Sequence, residues 1–264
     1  VSAKRTAIGS FLGSLSTVHP SEFGSVVVKN ILEETKIPAE KIDEVIVGHI
    51  LPAGLGQGVA RQVSIKSGIP VSVPAYGLNM VCGSGMKTLM NAYTSIKAGV
   101  HNVVLVGGVE NMSMSPFIVP NTVRNGIKMG GFNATDHMIA DALTDAFNNV
   151  HMGITAENIV DQYGLTREEQ DMFAIDSQNK AIKAVDADRF KEEIVPVTVK
   201  VRRDEFVFDK DEYPNRKTSF EKLSSLRPAF KKDGSVTAGN SSGINDGASF
   251  MLVVSESALA EFGL

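Results

Sequence analysis

The chain has 264 residues, 43% hydrophobic and 21% charged, which is ordinary for a globular protein with a sizeable core and room for one or two domains. Its formal net charge of −4 argues against a general nucleic-acid binder, and no apolar run reaches the roughly 20 residues of a membrane-spanning helix. One cysteine excludes an internal disulfide and fits a reducing, cytoplasmic setting, while five histidines scattered singly lack metal-site spacing, so no metal is expected.

In chain order, the first half alternates predicted strands and helices. Residues 21–34 read as a helix capped by Ser21, with Phe23, Val26, Val27 and Ile31 as its apolar stripe. A short apolar strand follows at 44–50, then a Gly/Pro stretch from Pro52 to Gly58 and a second helix near 59–67. A strand at 76–80 feeds a helix that starts at Cys82 and carries Met86, Leu89, Met90, Tyr93 and Ile96 at helical spacing before Gly99. Residues 102–107 form an apolar strand. Apolar strands alternating with helices predict a mainly parallel sheet covered on both faces.

After Ser113 the pattern weakens, and 114–137 reads as a long loop. Helices are predicted at about 138–147, 155–163 and 167–185, the last opened by Thr166 and Glu169 in a capping-box relation. Strands are expected at 194–199 and 205–208, and a core-like apolar strand returns at 248–254. The economical reading is one α/β core, 1–116 with 245–264, interrupted by an insertion at 117–244, with no internal repeat. The chain opens on a strand-like segment at Val1 and closes as a helix begins behind Ser255, so a longer parent protein is expected.

Cys82 is the most informative residue. At a helix start its thiol would face unpaired backbone N–H groups and the positive end of the helix dipole, which favours the thiolate. The small residues Gly83, Ser84 and Gly85 would admit a substrate close to the sulfur. The competing reading is a buried cysteine acting as a small hydrophobe.

Other segments carry weaker signals. The glycines of 54–58 lack phosphate-loop spacing and read as a turn. Gly107-Gly108-Val109-Glu110-Asn111-Met112-Ser113 follows a strand, either lining a ligand crevice or making a tight turn. His151-Met152-Gly153 precedes a helix whose expected cap is Thr155, and His151 alone reads more readily as a surface or packing residue than as a functional one. The stretch 237–247 is dense in small polar residues, as a backbone-lined binding surface or an elaborate connection would be. Residues 200–232 hold ten basic and six acidic side chains, a local excess that would attract a phosphorylated ligand or form a solvated face.

Together these segments resemble the thiolase family. Asn79-x-x-Cys82-x-Ser84-Gly85 is similar to its nucleophile motif, which sits at a buried helix N-terminus, and Gly107-Gly108-x-Glu110-x-Met112-Ser113 to its second signature. His151-Met152-Gly153-x-Thr155-Ala156-Glu157-Asn158, Arg227-Pro228-Ala229-Phe230 and Thr237-Ala238-Gly239-Asn240, with Ser242-Gly243 and Asn245-Asp246-Gly247, resemble parts of its coenzyme A-binding loop domain. The resemblance implies half of a five-layer αβαβα fold. It implies an acyltransferase in which Cys82 takes an acyl group from a coenzyme A thioester, condensing two acetyl-CoA into acetoacetyl-CoA and CoA or running the reverse thiolysis. Leu143, His151, Met152, Ala229, Phe230, Ala238, Gly239, Ser242 and Ile244 match coenzyme A-contacting positions, and Met152 beside His151 matches the short-chain type. Arg216, Lys217 and Lys222 are the candidate phosphate contacts, since the family's usual arginine and serine are replaced by Asn215 and Lys222. No resident cofactor is implied, because the coenzyme A thioesters are substrates.

The family's N-E-A-F, G-H-P and C-x-G segments do not occur in this sequence, so this chain alone is expected not to turn over. The resemblance also implies homodimers or homotetramers of the intact protein. The rival readings are a β-ketoacyl synthase-like condensing enzyme, disfavoured by the 117–244 insertion, and a non-catalytic coenzyme A-binding or assembly module.

Overall fold

Apolar strands interleaved with amphipathic helices can bury both strand faces only if the strands share a sheet and the helices cover it. The computed structural model, which describes residues 1–264, is built that way. In chain order come β1 (Ser2–Arg5), β2 (Gly9–Ser10), α1 (Pro20–Thr35), β3 (Glu44–Gly48), α2 (Val59–Lys66), β4 (Ala75–Leu78), α3 (Ser84–Lys97) and β5 (Val103–Asn111). Then come β6 (Phe117–Ile118), β7 (Thr135–Asp136), α4 (Met152–Tyr163), α5 (Arg167–Asp186), β8 (Val197–Val201) and β9 (Asp204–Phe208). The last elements are α6 (Phe220–Ser224), β10 (Asn245–Val254) and α7 (Glu256–Glu261). No helix is long and apolar enough to cross a membrane.

The chain divides into two compact units, one of residues 1–115, 191–212 and 245–264, the other of 116–190 and 213–244. The first unit holds a six-stranded sheet in the order β1-β10-β5-β3-β4, with β2 on the end of β10. β4, β3 and β5 run parallel, and β10 is antiparallel to β5, β1 and β2. Side chains alternate across this sheet with period two. Val45, Val47, Leu105 and Phe250 face Phe23, Val27 and Ile31 of α1 and Val63 of α2. Ile46, Val104 and Val106 face Leu89, Ala92 and Ile96 of α3.

Several expectations need correction. The segment 191–212, expected inside the insertion, belongs with the first unit. Val195, Val197, Val199 and Phe208 enter the larger core cluster. The Arg5 side chain donates through Nε to Glu193 at 2.7 Å and through its terminal nitrogens to Asp211 at 2.7 and 3.0 Å. Met86, Met90 and Tyr93 point outward, 72%, 51% and 62% exposed, because the sheet beneath α3 offers apolar contact only to the line through Leu89, Ala92 and Ile96. The N-cap of α1 is His19, whose Nδ1 accepts from Ser21 N, because Pro20 takes the first helical position. The N-cap of α4 is His151, four residues earlier than the expected Thr155. The helix expected at 138–147 shrinks to one π-helical turn, Ile139–Leu143. The capping box of Thr166 and Glu169 is present, and Ser255 caps α7.

Gly107 and Gly108 form no turn, for β5 runs through both. A Cβ on Gly107 would fall 2.3 Å from the Ser249 carbonyl oxygen and 2.8 Å from Phe250 Cα, whereas the nearest atom to one on Gly108 is 3.5 Å away. Gly107→Ala is therefore expected to lower stability by about 1–3 kcal/mol, because backbone of the paired strand must give way. Gly108→Ala should change it by less than about 1 kcal/mol. Urea unfolding of the two variants checks this, and equal losses would contradict the geometry.

Candidate active site

Cys82 stands just before α3 rather than inside its first turn. The helix begins at Ser84 with Gly83 as an N-cap that lends no side chain, and the cysteine is exposed. A tight turn produces this placement. Gly83 N donates to the Met80 carbonyl at 3.1 Å and Ser84 N to that of Val81 at 3.0 Å. Within the turn Val81 has φ +47°, a left-handed conformation that a β-branched side chain resists. Two side chains of the nucleophile-like motif hold it there. Asn79 Oδ1 accepts from Val81 N at 2.9 Å, while Ser84 Oγ accepts from Met80 N at 2.9 Å and donates to the Val81 carbonyl at 2.6 Å. Strain of about 1–3 kcal/mol at one residue persists only where the surroundings over-determine it.

The turn packs on the end of β3. A Cβ on Gly48 would fall 2.8 Å from Gly85 N and from the Ser84 carbonyl carbon, so only glycine lets the start of α3 come this close. Sequence reasoning missed Gly48; the signal was a glycine ending an apolar strand, which marks close backbone approach. Cys82, Gly48, Gly85, Gly108, Glu110 and Asp246 line a cavity of about 320 Å³. A larger cavity of about 520 Å³, lined by Leu89, Met251 and Leu259 among others, contains no cysteine or histidine. Chemistry, not size, selects the smaller one. No group of His, Cys, Asp and Glu side chains is placed to hold a metal ion.

Two carboxylates brace that cavity. Glu110 accepts from Ile50 N at 2.9 Å and Leu51 N at 3.2 Å, fixing the chain as it leaves β3. Asp246, 1% exposed, accepts from Ser113 N at 3.0 Å and Ser113 Oγ at 2.6 Å, which ties the second signature to β10. Burial pushes the Asp246 carboxyl above the ordinary aspartate value of 3.8, and the Ser113 hydrogen bonds only partly oppose this. Both residues stand inside motifs visible in the sequence, but nothing there shows which backbone they anchor.

The coenzyme A candidates all fall in the second unit. His151 and Phe230 stack, with ring centroids 4.8 Å apart and an interplanar angle of 17°. His151 Nδ1 accepts from Gly153 N at 3.0 Å, which leaves the proton on Nε2. Met152 is exposed on the first turn of α4, and Leu143 is half-buried at the end of the π-helical turn. Ala229 N donates to the Val236 carbonyl at 2.9 Å, closing the loop that carries Phe230. Ala238 and Gly239 lie in a turn where Thr237 Oγ1 accepts from Gly239 N and Asn240 N, both at 3.2 Å. Ser242 is exposed and Ile244 half-buried. Of the phosphate candidates, Arg216 is engaged with Asp186 at 2.5 and 3.0 Å, and Lys222 Nζ donates to the Lys217 carbonyl at 2.6 Å. Lys217 is exposed.

Residues 1–257 match the family described as thiolase, N-terminal domain. The chain belongs to the thiolase family. It is 51% identical to a Pseudomonas aeruginosa protein named acetyl-CoA acetyltransferase, over 100% of this chain and 67% of that protein. It is 52% identical to a Staphylococcus aureus protein named probable acetyl-CoA acyltransferase, over 99% of this chain and 67% of the relative. The crystal structure of the Bacillus anthracis acetyl-CoA acetyltransferase superposes with a TM-score of 0.95 at 42% identity, covering 100% of this chain and 66% of that one. This thiolase domain thus spans about two thirds of the length of these relatives. The fold implied by the sequence motifs is the one found.

Two measurements test the site. Val81→Gly trades strain of about 1–3 kcal/mol for the entropic cost of glycine, about 0.5–1 kcal/mol, so melting should stay level or rise. A marked fall would show that Val81 is not strained. For Asp246, the raised value means that the folded state holds the proton more tightly than the unfolded chain. Its contribution favours folding below 3.8 and is lost as pH rises through the folded value. Relative to the parent, Asp246→Asn should therefore gain in melting temperature as pH rises from about 4 to about 7. Parallel curves would refute the shift.

Proposed function

We propose that this chain provides the nucleophile and the coenzyme A-binding surface of an acetyl-CoA C-acetyltransferase. The observation that carries the reading is the strained turn at Val81, held by Asn79 and Ser84, which presents the chain's one cysteine at the rim of a cavity. Strain maintained by several bonds at Val81, beside the cysteine, fits a pre-organised nucleophile.

The Cys82 thiolate attacks the carbonyl carbon of an acyl-CoA thioester. The tetrahedral intermediate collapses by breaking the bond to the coenzyme A sulfur, which leaves as a thiolate and takes up a proton. The acyl group is then held as a thioester on Sγ. For condensation, a general base from outside this chain takes a proton from the methyl carbon of a second acetyl-CoA, and the resulting carbanion bonds to the acyl carbonyl carbon. Sγ departs, releasing acetoacetyl-CoA. Thiolysis is the same sequence reversed. Glycines at 48, 85 and 108 keep side chains out of the space beside the sulfur. In the second unit, the edge of Phe230, its stacking partner His151 and exposed Met152, Ala229, Ala238 and Ser242 offer an apolar and backbone-lined surface suited to pantetheine.

The test is acyl transfer to the protein itself. Incubation with acetyl-CoA should add one acetyl group at Cys82, located by mass spectrometry of peptides, and Cys82→Ser should carry none. Equal labelling of the variant would remove Cys82 from the mechanism. Coenzyme A binding by calorimetry without any acyl adduct would instead favour the non-catalytic binding module.

A further inference from the structure

Residues 225–244 of the second unit, which carry Ala229, Phe230, Ala238 and Gly239, form no strand or helix. Something other than a hydrogen-bond ladder must fix them, because buried backbone groups need partners. One face of α4 supplies much of what is missing. Gly153, Glu157 and Asp161 succeed one another at four-residue intervals, the spacing that places side chains on one side of a helix. Each meets a different part of the 229–236 loop.

At Gly153 the Phe230 ring lies against bare backbone, and a Cβ there would fall 2.1 Å from Phe230 Cγ. Asp161 Oδ2 accepts from Lys231 Nζ at 2.6 Å. Between them Glu157 is 1% exposed, and its Oε1 accepts from Ser235 N at 2.9 Å and Val236 N at 2.8 Å. Oε2 lies 3.2 Å from Ser235 N. Gly234 leaves the space that this carboxylate fills, since a Cβ there would sit 2.3 Å from Oε1. Val236 is also the residue whose carbonyl closes the loop on Ala229. Gripping the N–H groups of 235 and 236 therefore sets the base of the loop whose other end carries Phe230.

The geometry points to Glu157 as a positioning residue for coenzyme A, acting through the 229–236 loop without touching the ligand; this rests on the functional reading given above. A buried carboxylate accepting several backbone N–H groups is a strong, directional anchor. Removing it leaves those donors unsatisfied, so the loop must rearrange.

The experiment uses the full chain and three variants, with coenzyme A as the calorimetric probe. Glu157→Ala is expected to raise the coenzyme A Kd at least about tenfold, close to 1.4 kcal/mol. Glu157→Gln retains a carbonyl oxygen for the two N–H groups and should stay within about threefold of the parent. Gly234→Ala keeps the carboxylate but displaces it, and should raise Kd by about fivefold even if the Glu157→Ala protein fails to fold. The rate of Cys82 alkylation by iodoacetamide should be the same in all of them, since Cys82 belongs to the other unit. Parent-like Kd in both Glu157→Ala and Gly234→Ala would overturn the inference, as would a raised Kd in Gly234→Ala accompanied by a changed rate of Cys82 alkylation. A parent chain that binds no coenzyme A would overturn the functional reading and this inference with it.

Discussion

How near a helix can approach the end of a strand decides the geometry around Cys82. The backbone of Ser84 and Gly85 comes within 2.8 Å of where a Cβ on Gly48 would be, so the start of α3 is seated on β3 by the absence of one carbon. With the helix fixed there, the chain leaving β4 at Leu78 has only a few residues in which to reach Ser84. It does so by turning at Val81 through a left-handed backbone angle. The exposed position of the sulfur results from that sharp reversal. The cost of the turn is met locally, by the side chains of Asn79 and Ser84 on either side of the cysteine.

A second theme runs through both units. Segments that leave the regular elements are held by carboxylates accepting backbone N–H groups. Glu110 fixes 50–51, Asp246 fixes Ser113, and Glu157 fixes 235–236. Asp171, 1% exposed, receives Asn240 Nδ2 at 3.0 Å and Arg167 Nε at 2.8 Å, and so anchors the turn at 237–240. Burying such groups is tolerable only when they are hydrogen-bonded, and here each is. Loops supported in this way can expose backbone and small side chains to a ligand while keeping a defined shape.

Much of the fold was legible in the sequence because it depends on short-range periodicity. Apolar runs mark β3, β5 and β10, helical spacing marks α1, and the Thr166–Glu169 pair marks the start of α5, which the structure reproduces. The motif around Cys82 and the small-residue stretch at 237–243 carried the family resemblance. Errors arose where a distant partner decided the outcome. The stripe on α3 follows helical spacing, yet the side chains that face Ile46, Val104 and Val106 of the sheet are Leu89, Ala92 and Ile96. Position in the chain places the 191–212 hairpin inside the insertion. Arg5 and the apolar side chains of β8 bring it to the core instead.

The amino-acid sequence by itself determined the class of the protein, its family and the identity of its nucleophile candidate, because composition, periodicity and short motifs act over a few neighbouring residues. Only the tertiary structure decided that Cys82 precedes its helix, that Gly107 must be glycine, and that buried Glu157 and Asp246 hold loops remote from them in the chain. The Glu157, Asp246 and Gly107 contacts join groups 78 or more residues apart, and the start of α3 is set by how closely it packs on Gly48 at the end of β3. No local pattern encodes such distances.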